Sequence, residues 1–247
     1  MQYIVFDLET TGLSPFSGDR ICEIGAVRIT DGKITDKFWT LVNPERELSF
    51  AAYRVNRITP DMLESAPKIS EVLPEFLDFV EGTKLAAYNA GFDLSFLNME
   101  LRNLGMNPIP DGQVIDIYIL AKKLLPNLGF YPLWNVAKNL KVRVDTSHRA
   151  LADAIVAAEI FIKLLDQGGR DILARVHMDY HKNRKLLEQA FKERRSVKIK
   201  FSGDEGEVLE EQIMPLGIIE ELGQEVLKCE SRGKKMSLPL TIIMEVC

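Results

Sequence analysis

This 247-residue sequence predicts an α/β fold, in which a mixed sheet carries helices on its faces and a small all-β unit follows. Three observations lead to it. Three β-rich segments open the chain, strand-like and helical stretches then alternate as far as Leu165, and beyond Gly169, after one charged helix, the pattern returns to short strands.

Residues 3–7 read as a short buried strand. Residues 21–29 and 34–42 alternate and are β-rich, with Asp31-Gly32 between them as a hairpin turn. Over 70–80 the apolar side chains Val72, Leu73, Phe76, Leu77 and Val80 recur at helical spacing. A strand over 84–88 follows, then a helix from Asp93 to Leu104 that Gly105 ends. A strand at 114–116, a helix through Leu125, another over 133–140 and a long one over 149–165 complete this part of the chain. Gln167-Gly168-Gly169 stops the last helix and permits a change of direction. The expected division is therefore a first domain over 1–167, a connector helix within 168–195 and a β domain over 196–247. Strands in the β domain are expected over 197–201, 208–219, 225–230 and 236–246, four or five in all, parted by Ser202-Gly203-Asp204 and Arg232-Gly233.

Composition removes several classes of function. Hydrophobic residues at 46% and charged at 27% match globular usage, and exclude a disordered or collagenous chain. The apolar run 154–162 is broken by Glu159 and falls short of the ~20 residues that cross a membrane. The first seven residues hold no basic segment and reach Asp7, so no signal peptide is expected and the cytoplasm is the expected location. Cys22, Cys229 and Cys247 form no Cys-x-x-Cys pair, and His177 and His181 have no cysteine nearby to complete a zinc set. Any metal is therefore expected on oxygen ligands. A net charge of −5 argues against coating nucleic acid by bulk positive charge. Charge is nonetheless polarised: 181–200 holds 8 basic against 2 acidic residues, and 201–225 holds 8 acidic and no basic. Lys182, Arg184, Lys185, Arg194, Arg195, Lys198 and Lys200 either form a strip that guides a nucleic-acid strand or pair with the acidic stretch 205–221.

The chemistry lies in carboxylates. Asp7 and Glu9, at i and i+2, project from one side of a strand and repel unless a hard cation lies between them; the alternative is a strand end in solvent. Asn89-Ala90-Gly91-Phe92-Asp93 puts a carboxylate at a helix start straight after a strand, where an N-cap role competes. His148 precedes the long helix and Asp153 lies within it among Ala and Ile, a costly place for an unpaired charge. Taken alone, His148 also fits a surface or capping histidine.

In this order the segments resemble the three motifs of the DEDDh exonucleases, a family that includes ribonuclease T and the proofreading subunit of bacterial replicative polymerases. Asp7 to Gly12 matches Asp-x-Glu-Thr-Thr-Gly, Asn89 to Asp93 matches Asn-x-x-Phe-Asp, and His148 to Asp153 matches His-x4-Asp, a resemblance that covers about 1–167. It implies a ribonuclease-H-like mixed sheet with flanking helices and 3′–5′ exonuclease activity, releasing nucleoside 5′-monophosphates from single-stranded or frayed 3′ ends of DNA or RNA. It further implies two Mg²⁺ or Mn²⁺ ions, one on Asp7, Glu9 and Asp153 and the other on Asp7 with Asp93 through water. His148 is the implied general base, a histidine's ordinary pKa near ~6.5 suiting proton removal at neutral pH. Thr10, Thr11, Leu13, Asn89 and Phe92 fall where the family holds the terminal nucleotide. Tyr88 departs from the histidine common before that asparagine, and stacks or donates a hydrogen bond instead. Implied partners are a nucleic acid with a 3′ end, a replication or repair protein and a second copy of the chain, with no membrane. The competing class is a catalytically silent, polymerase-associated binding module.

The C-terminal segments Val197 to Phe201, Ile213 to Ile218, Val226 to Glu230 and Leu238 to Ile242 are similar to the WYL domain, a small Sm/SH3-like β-barrel. Glu225-Val226-Leu227 stands where its Trp-Tyr-Leu is usual. That change weakens the implied ligand site and leaves a stabilising or dimerising role open.

Overall fold

A computed structural model describes residues 2–110, 113–144, 148–202, 208–221, 224–240 and 243–247. The chain divides into two compact units, the first built of 1–109 and 113–169 and the second carried by 170–247.

The first unit holds a five-stranded sheet of order β3-β2-β1-β4-β5. β1 (Gln2–Thr10), β2 (Ile21–Thr30) and β3 (Lys33–Leu41) form an antiparallel meander. β4 (Lys84–Ala87) and β5 (Val114–Asp116) then add in parallel, so that β1 has one antiparallel and one parallel neighbour. This is the mixed sheet that the order of elements predicts. Its helices are α1 (Phe50–Asn56), α2 (Pro60–Glu64), α3 (Ile69–Val80), α4 (Ala90–Asn103), α5 (Ile117–Leu124), α6 (Leu133–Asn139) and α7 (Ala150–Leu164).

Alternation along β1 decides what each face does. Ile4, Phe6 and Leu8 pack with Val72, Leu73 and Phe76 of α3 and Leu97 of α4. Phe76 sits edge-on to both Phe6 and Phe38. Tyr3, Val5, Asp7 and Glu9 point to the opposite face, where α7 packs and Phe161 meets Tyr3 edge-on at 5.0 Å. The start of α3 is fixed by Glu71, whose carboxylate accepts the Lys68 N–H at 2.8 Å.

Three elements go beyond the expected order: a 3₁₀ turn at Pro15–Ser17, α1 and α2. All are shorter than two helical turns and so carry little periodicity. β1 runs three residues past the expected Asp7, and α4 starts at Ala90 rather than Asp93.

The second unit consists of α8 (Arg170–Lys192) and five strands: β6 (Val197–Ser202), β7 (Val208–Glu221), β8 (Gln224–Ser231), β9 (Lys234–Pro239) and β10 (Ile243–Val246). They form an antiparallel sheet of order β10-β6-β7-β8-β9. The single strand expected over 236–246 is two strands at opposite ends of that order. Pro239 closes β9 because it has no N–H to give a further ladder bond. Leu187 and Ala190 of α8 pack into the core with Val197, Ile199 and Leu227.

Much of the basic strip is paired. Lys198 and Lys200 meet Glu210 across the β6–β7 ladder, and Lys200 also meets Glu245 at 2.8 Å. Arg184 meets Glu188 at 2.8 Å and Glu225 at 3.0 Å. Gly203, Asp204 and Glu205, and the side chains of Val176, His177, Tyr180 and His181, lie outside the described residues. Cys22 and Cys229 are buried free thiols, and Cys247 is exposed. Among the described residues no helix is long and apolar enough to cross a membrane.

Candidate active site

The site grows from the β1–β2 ladder. Gly25 stands opposite Asp7 and Glu23 opposite Glu9, and a bulge after Glu9 shifts the pairing so that Thr10 meets Ile21. With no side chain at Gly25, the first turn of α7 lies directly on the strand. A Cβ there would come within 2.2 Å of the Leu151 nitrogen. This close approach brings Asp153 over β1. One carboxylate oxygen from each of Asp7, Glu9 and Asp153 lies within 4.8 Å of the others.

Asp93 comes from the far side of β1. Asn89, in the left-handed conformation (φ 66°), takes the N-cap position, and Asp93 lies one turn inside α4. The Asp93 Oδ1 accepts the N–H of Leu8, the residue between Asp7 and Glu9, at 3.0 Å. Asp116 braces the same helix start by accepting the Ala90 N–H at 3.1 Å, while capping α5 through the Tyr118 and Ile119 amides.

These carboxyls hold their protons more tightly than usual. Burial and the neighbouring Asp93, Asp153 and Glu9 raise Asp7 well above the ordinary carboxylate range. Glu9 is pushed up to about 8 by burial, then by Asp153 and Glu23, against the opposing hydrogen bond from Asn56. Burial also raises Asp93 and Asp153, opposed by the N–H groups of Leu8 and His148 respectively. A hard cation bound by oxygen would relieve this crowding, and the donor set fits one.

His148 is exposed at the threshold of α7, with φ 61°. Its N–H donates to Asp153 Oδ2 at 2.8 Å, so the candidate base and the third carboxylate are joined through the backbone. Of the residues expected to hold substrate, Leu13 is 86% exposed, and Asn89 is also exposed. Thr10 and Thr11 are buried, and their hydroxyls are engaged within the loop that follows β1. Thr10 donates to the Gly12 carbonyl at 2.6 Å, and Thr11 accepts the Arg20 N–H at 3.0 Å. Phe92 packs on Phe96 and the core. Tyr88 donates to the Tyr131 carbonyl and sits edge-on to Tyr118, both contacts within the protein.

Two residues of the site are absent from the motifs. Asn56, at the end of α1, is 2% exposed; its carbonyl accepts the Ile58 N–H at 3.1 Å and its amide serves Glu9. Glu23 is a fully buried carboxylate that grips Arg149 and the start of α7. β2 also carries Arg28 and Thr30, so nothing in its sequence singles Glu23 out.

Comparison with known proteins agrees with this geometry. The RNase_T family model, described as exonuclease, matches residues 4–161. The DNA polymerase III PolC-type of Caldanaerobacter subterraneus subsp. tengcongensis is 42% identical over 166 residues, 67% of this chain. That of Staphylococcus epidermidis is 39% identical over 194 residues, 78% of this chain. The chain spans only 12% and 13% of the length of these two relatives. Among solved structures, Exonuclease X in complex with 5′ overhanging duplex DNA is 31% identical, with a TM-score of 0.54 over 68% of this chain and 93% of that one. An E. coli ExoI–ssDNA complex superposes with a TM-score of 0.69 over 92% of this chain and 54% of that one; at 17% identity this speaks to the fold alone.

Proposed function

The chain belongs to the RNase_T exonuclease family, and from that premise we propose that it is a metal-dependent 3′–5′ exonuclease acting on single-stranded or frayed 3′ ends of DNA or RNA. The observation that carries this reading is the convergence of Asp7, Glu9 and Asp153, drawn from a strand and a distant helix, to within 4.8 Å. Asp7, Glu9 and Asp153 would hold one Mg²⁺ or Mn²⁺, and Asp7 with Asp93 a second. When bound, such ions lower the pKa of water and offset the charge that gathers on phosphorus. His148 takes the proton of the attacking water; the water oxygen bonds to phosphorus, and the bond to the 3′ oxygen breaks, that oxygen taking up a proton as the 3′-hydroxyl of the shortened strand while a nucleoside 5′-monophosphate is released. Leu13 wedges beneath the last base, Asn89 offers a polar contact, and Thr10, Thr11 and Phe92 shape the surface from below.

The PolC-type relatives support work beside a DNA replication or repair machinery, in the cytoplasm. The segments similar to the WYL domain support reading the second unit as a divergent Sm/SH3-like module. Its ion-paired basic side chains favour a structural role for that module over guidance of a strand.

The deciding test is digestion of 5′-labelled DNA and RNA oligonucleotides with Mg²⁺, Mn²⁺ or chelator. Stepwise shortening from the 3′ end in metal alone is expected. A protein that binds the oligonucleotides but shortens none of them would establish the silent module instead.

A further inference from the structure

Glu23 takes no direct part in the chemistry proposed above, yet its carboxylate is the most heavily bonded in the site. Its Oε1 accepts Trp39 Nε1 at 2.6 Å and Arg149 Nη2 at 2.6 Å. Its Oε2 accepts the Ala150 N–H at 3.0 Å, and Arg149 Nε lies 3.1 Å from both oxygens. The side chain is fully buried. With its lone pairs occupied in this way, Glu23 is a fixed anion rather than a spare metal ligand.

What it fixes is the threshold of α7. Arg149 is the N-cap residue of that helix, but its own side chain makes no capping bond. Glu23 does the capping from another strand, satisfying the first free amide of the helix and placing negative charge at its positive end. The two-pronged Arg149–Glu23 contact holds the residue directly after His148, and His148 itself has a left-handed backbone that is costly for a non-glycine residue. Between the clamp at Arg149 and the His148–Asp153 bond, the His148 backbone has little freedom to turn.

We infer that Glu23 and Arg149 are positioning residues: their ion pair sets the backbone from which His148 addresses the attacking water. This rests on the exonuclease reading, with His148 as its base. Loss of the Arg149 side chain is expected to cost turnover rather than substrate or metal binding, because the Glu23–Ala150 bond and the packing of α7 on Gly25 still hold Asp153, and Leu13 and the carboxylates of β1 are positioned by other contacts.

The test combines Arg149→Met and Arg149→Lys with His148→Ala in the full-length protein. Single-turnover cleavage of a labelled oligonucleotide is measured together with the Mg²⁺ midpoint and the melting temperature. Arg149→Met is expected to lower kcat by roughly 10–100-fold, the scale of a reacting group misplaced by about 1 Å, while KM and the Mg²⁺ midpoint change less than about threefold. Arg149→Lys keeps the cation but gives up the two-pronged contact, and is expected to recover part of the loss. In the His148→Ala background the same substitutions should cost less than about threefold, since the group they position is gone. Losses that multiply in that background, or a rise in KM or Mg²⁺ midpoint as large as the fall in kcat, would overturn the positioning role. If Arg149→Met fails to melt cooperatively, Arg149→Lys carries the same comparison. A wild-type protein that shortens no oligonucleotide would refute the exonuclease reading and this role with it. An active wild type whose variants keep full kcat would refute the positioning role alone.

Discussion

Replacing Gly25 with alanine adds one methyl group at the closest approach of helix and sheet in the site. The new Cβ would lie 2.2 Å from the Leu151 nitrogen and 2.3 Å from the Ala150 carbonyl carbon, where ordinary contact begins at 3.4 Å. Both neighbours are backbone atoms, so no rotamer can absorb the clash, and the start of α7 must retreat by about 1 Å. In an unobstructed strand the same change would be favourable by roughly 0.5–1 kcal/mol, since glycine has more backbone freedom to lose. Here overpacking of about 1–3 kcal/mol prevails. At roughly 2–4 °C per kcal/mol for a unit of this size, the melting temperature should fall by several degrees. Asp153 lies two residues beyond Leu151 and travels with it, away from Asp7 and Glu9. A displacement on that scale should cost on the order of 10²-fold in kcat and raise the Mg²⁺ midpoint. Thermal melts with and without Mg²⁺, alongside single-turnover cleavage, measure both effects. A Gly25→Ala protein that melts lower but keeps wild-type kcat would show that the helix start is not what aligns Asp153.

Other outcomes follow from the electrostatics. Asp7→Asn should abolish cleavage yet raise the melting temperature in chelator, because it removes a carboxyl whose ionisation is opposed by burial and by Asp93, Asp153 and Glu9. In chelator, protein stability should decline between pH 5 and 8. A carboxyl whose folded pKa is raised favours folding below its unfolded pKa near ~4.3, and loses that contribution as pH rises through the folded value, about 8 for Glu9. Melts across that range should show a shallower decline for Glu9→Gln, and Mg²⁺ should stabilise the wild type more at pH 8 than at pH 5. His148→Ala should lower kcat by roughly 10²–10⁴-fold with little change in the Mg²⁺ midpoint, which a titration of rate against Mg²⁺ would establish.

The strands and the larger helices were legible because their periodicity is strong: β2 and β3 coincide with the expected segments to within a residue or so at each end. The carboxylates were legible because they fall at fixed spacings within short motifs. Glu23 was not. In sequence it is one polar residue in an alternating strand, and only the packing of α7 on Gly25 reveals that a helix start needs its carboxylate. Asn56 was hidden for a different reason. It ends a seven-residue helix with almost no periodic signal, and its link to Glu9 depends on a fold in which residues far apart in sequence meet. The count of four or five strands left the split of 236–246 open, because Pro239 lies among apolar residues that read as a single run.

The span of chain between the parts of the site also bears on when the site is complete. The β1–β2–β3 meander is local, whereas Asp93 meets Leu8 across 85 residues and Arg149 meets Glu23 across 126. Local contacts form early, and distant ones must wait for the chain between them to be made and folded. A nascent chain emerging from a ribosome would display Asp7 and Glu9 long before Asp153 exists. The cluster of Asp7, Glu9 and Asp153 is therefore completed late in the birth of the first unit, and a product cut short before residue 150 would lack its third carboxylate.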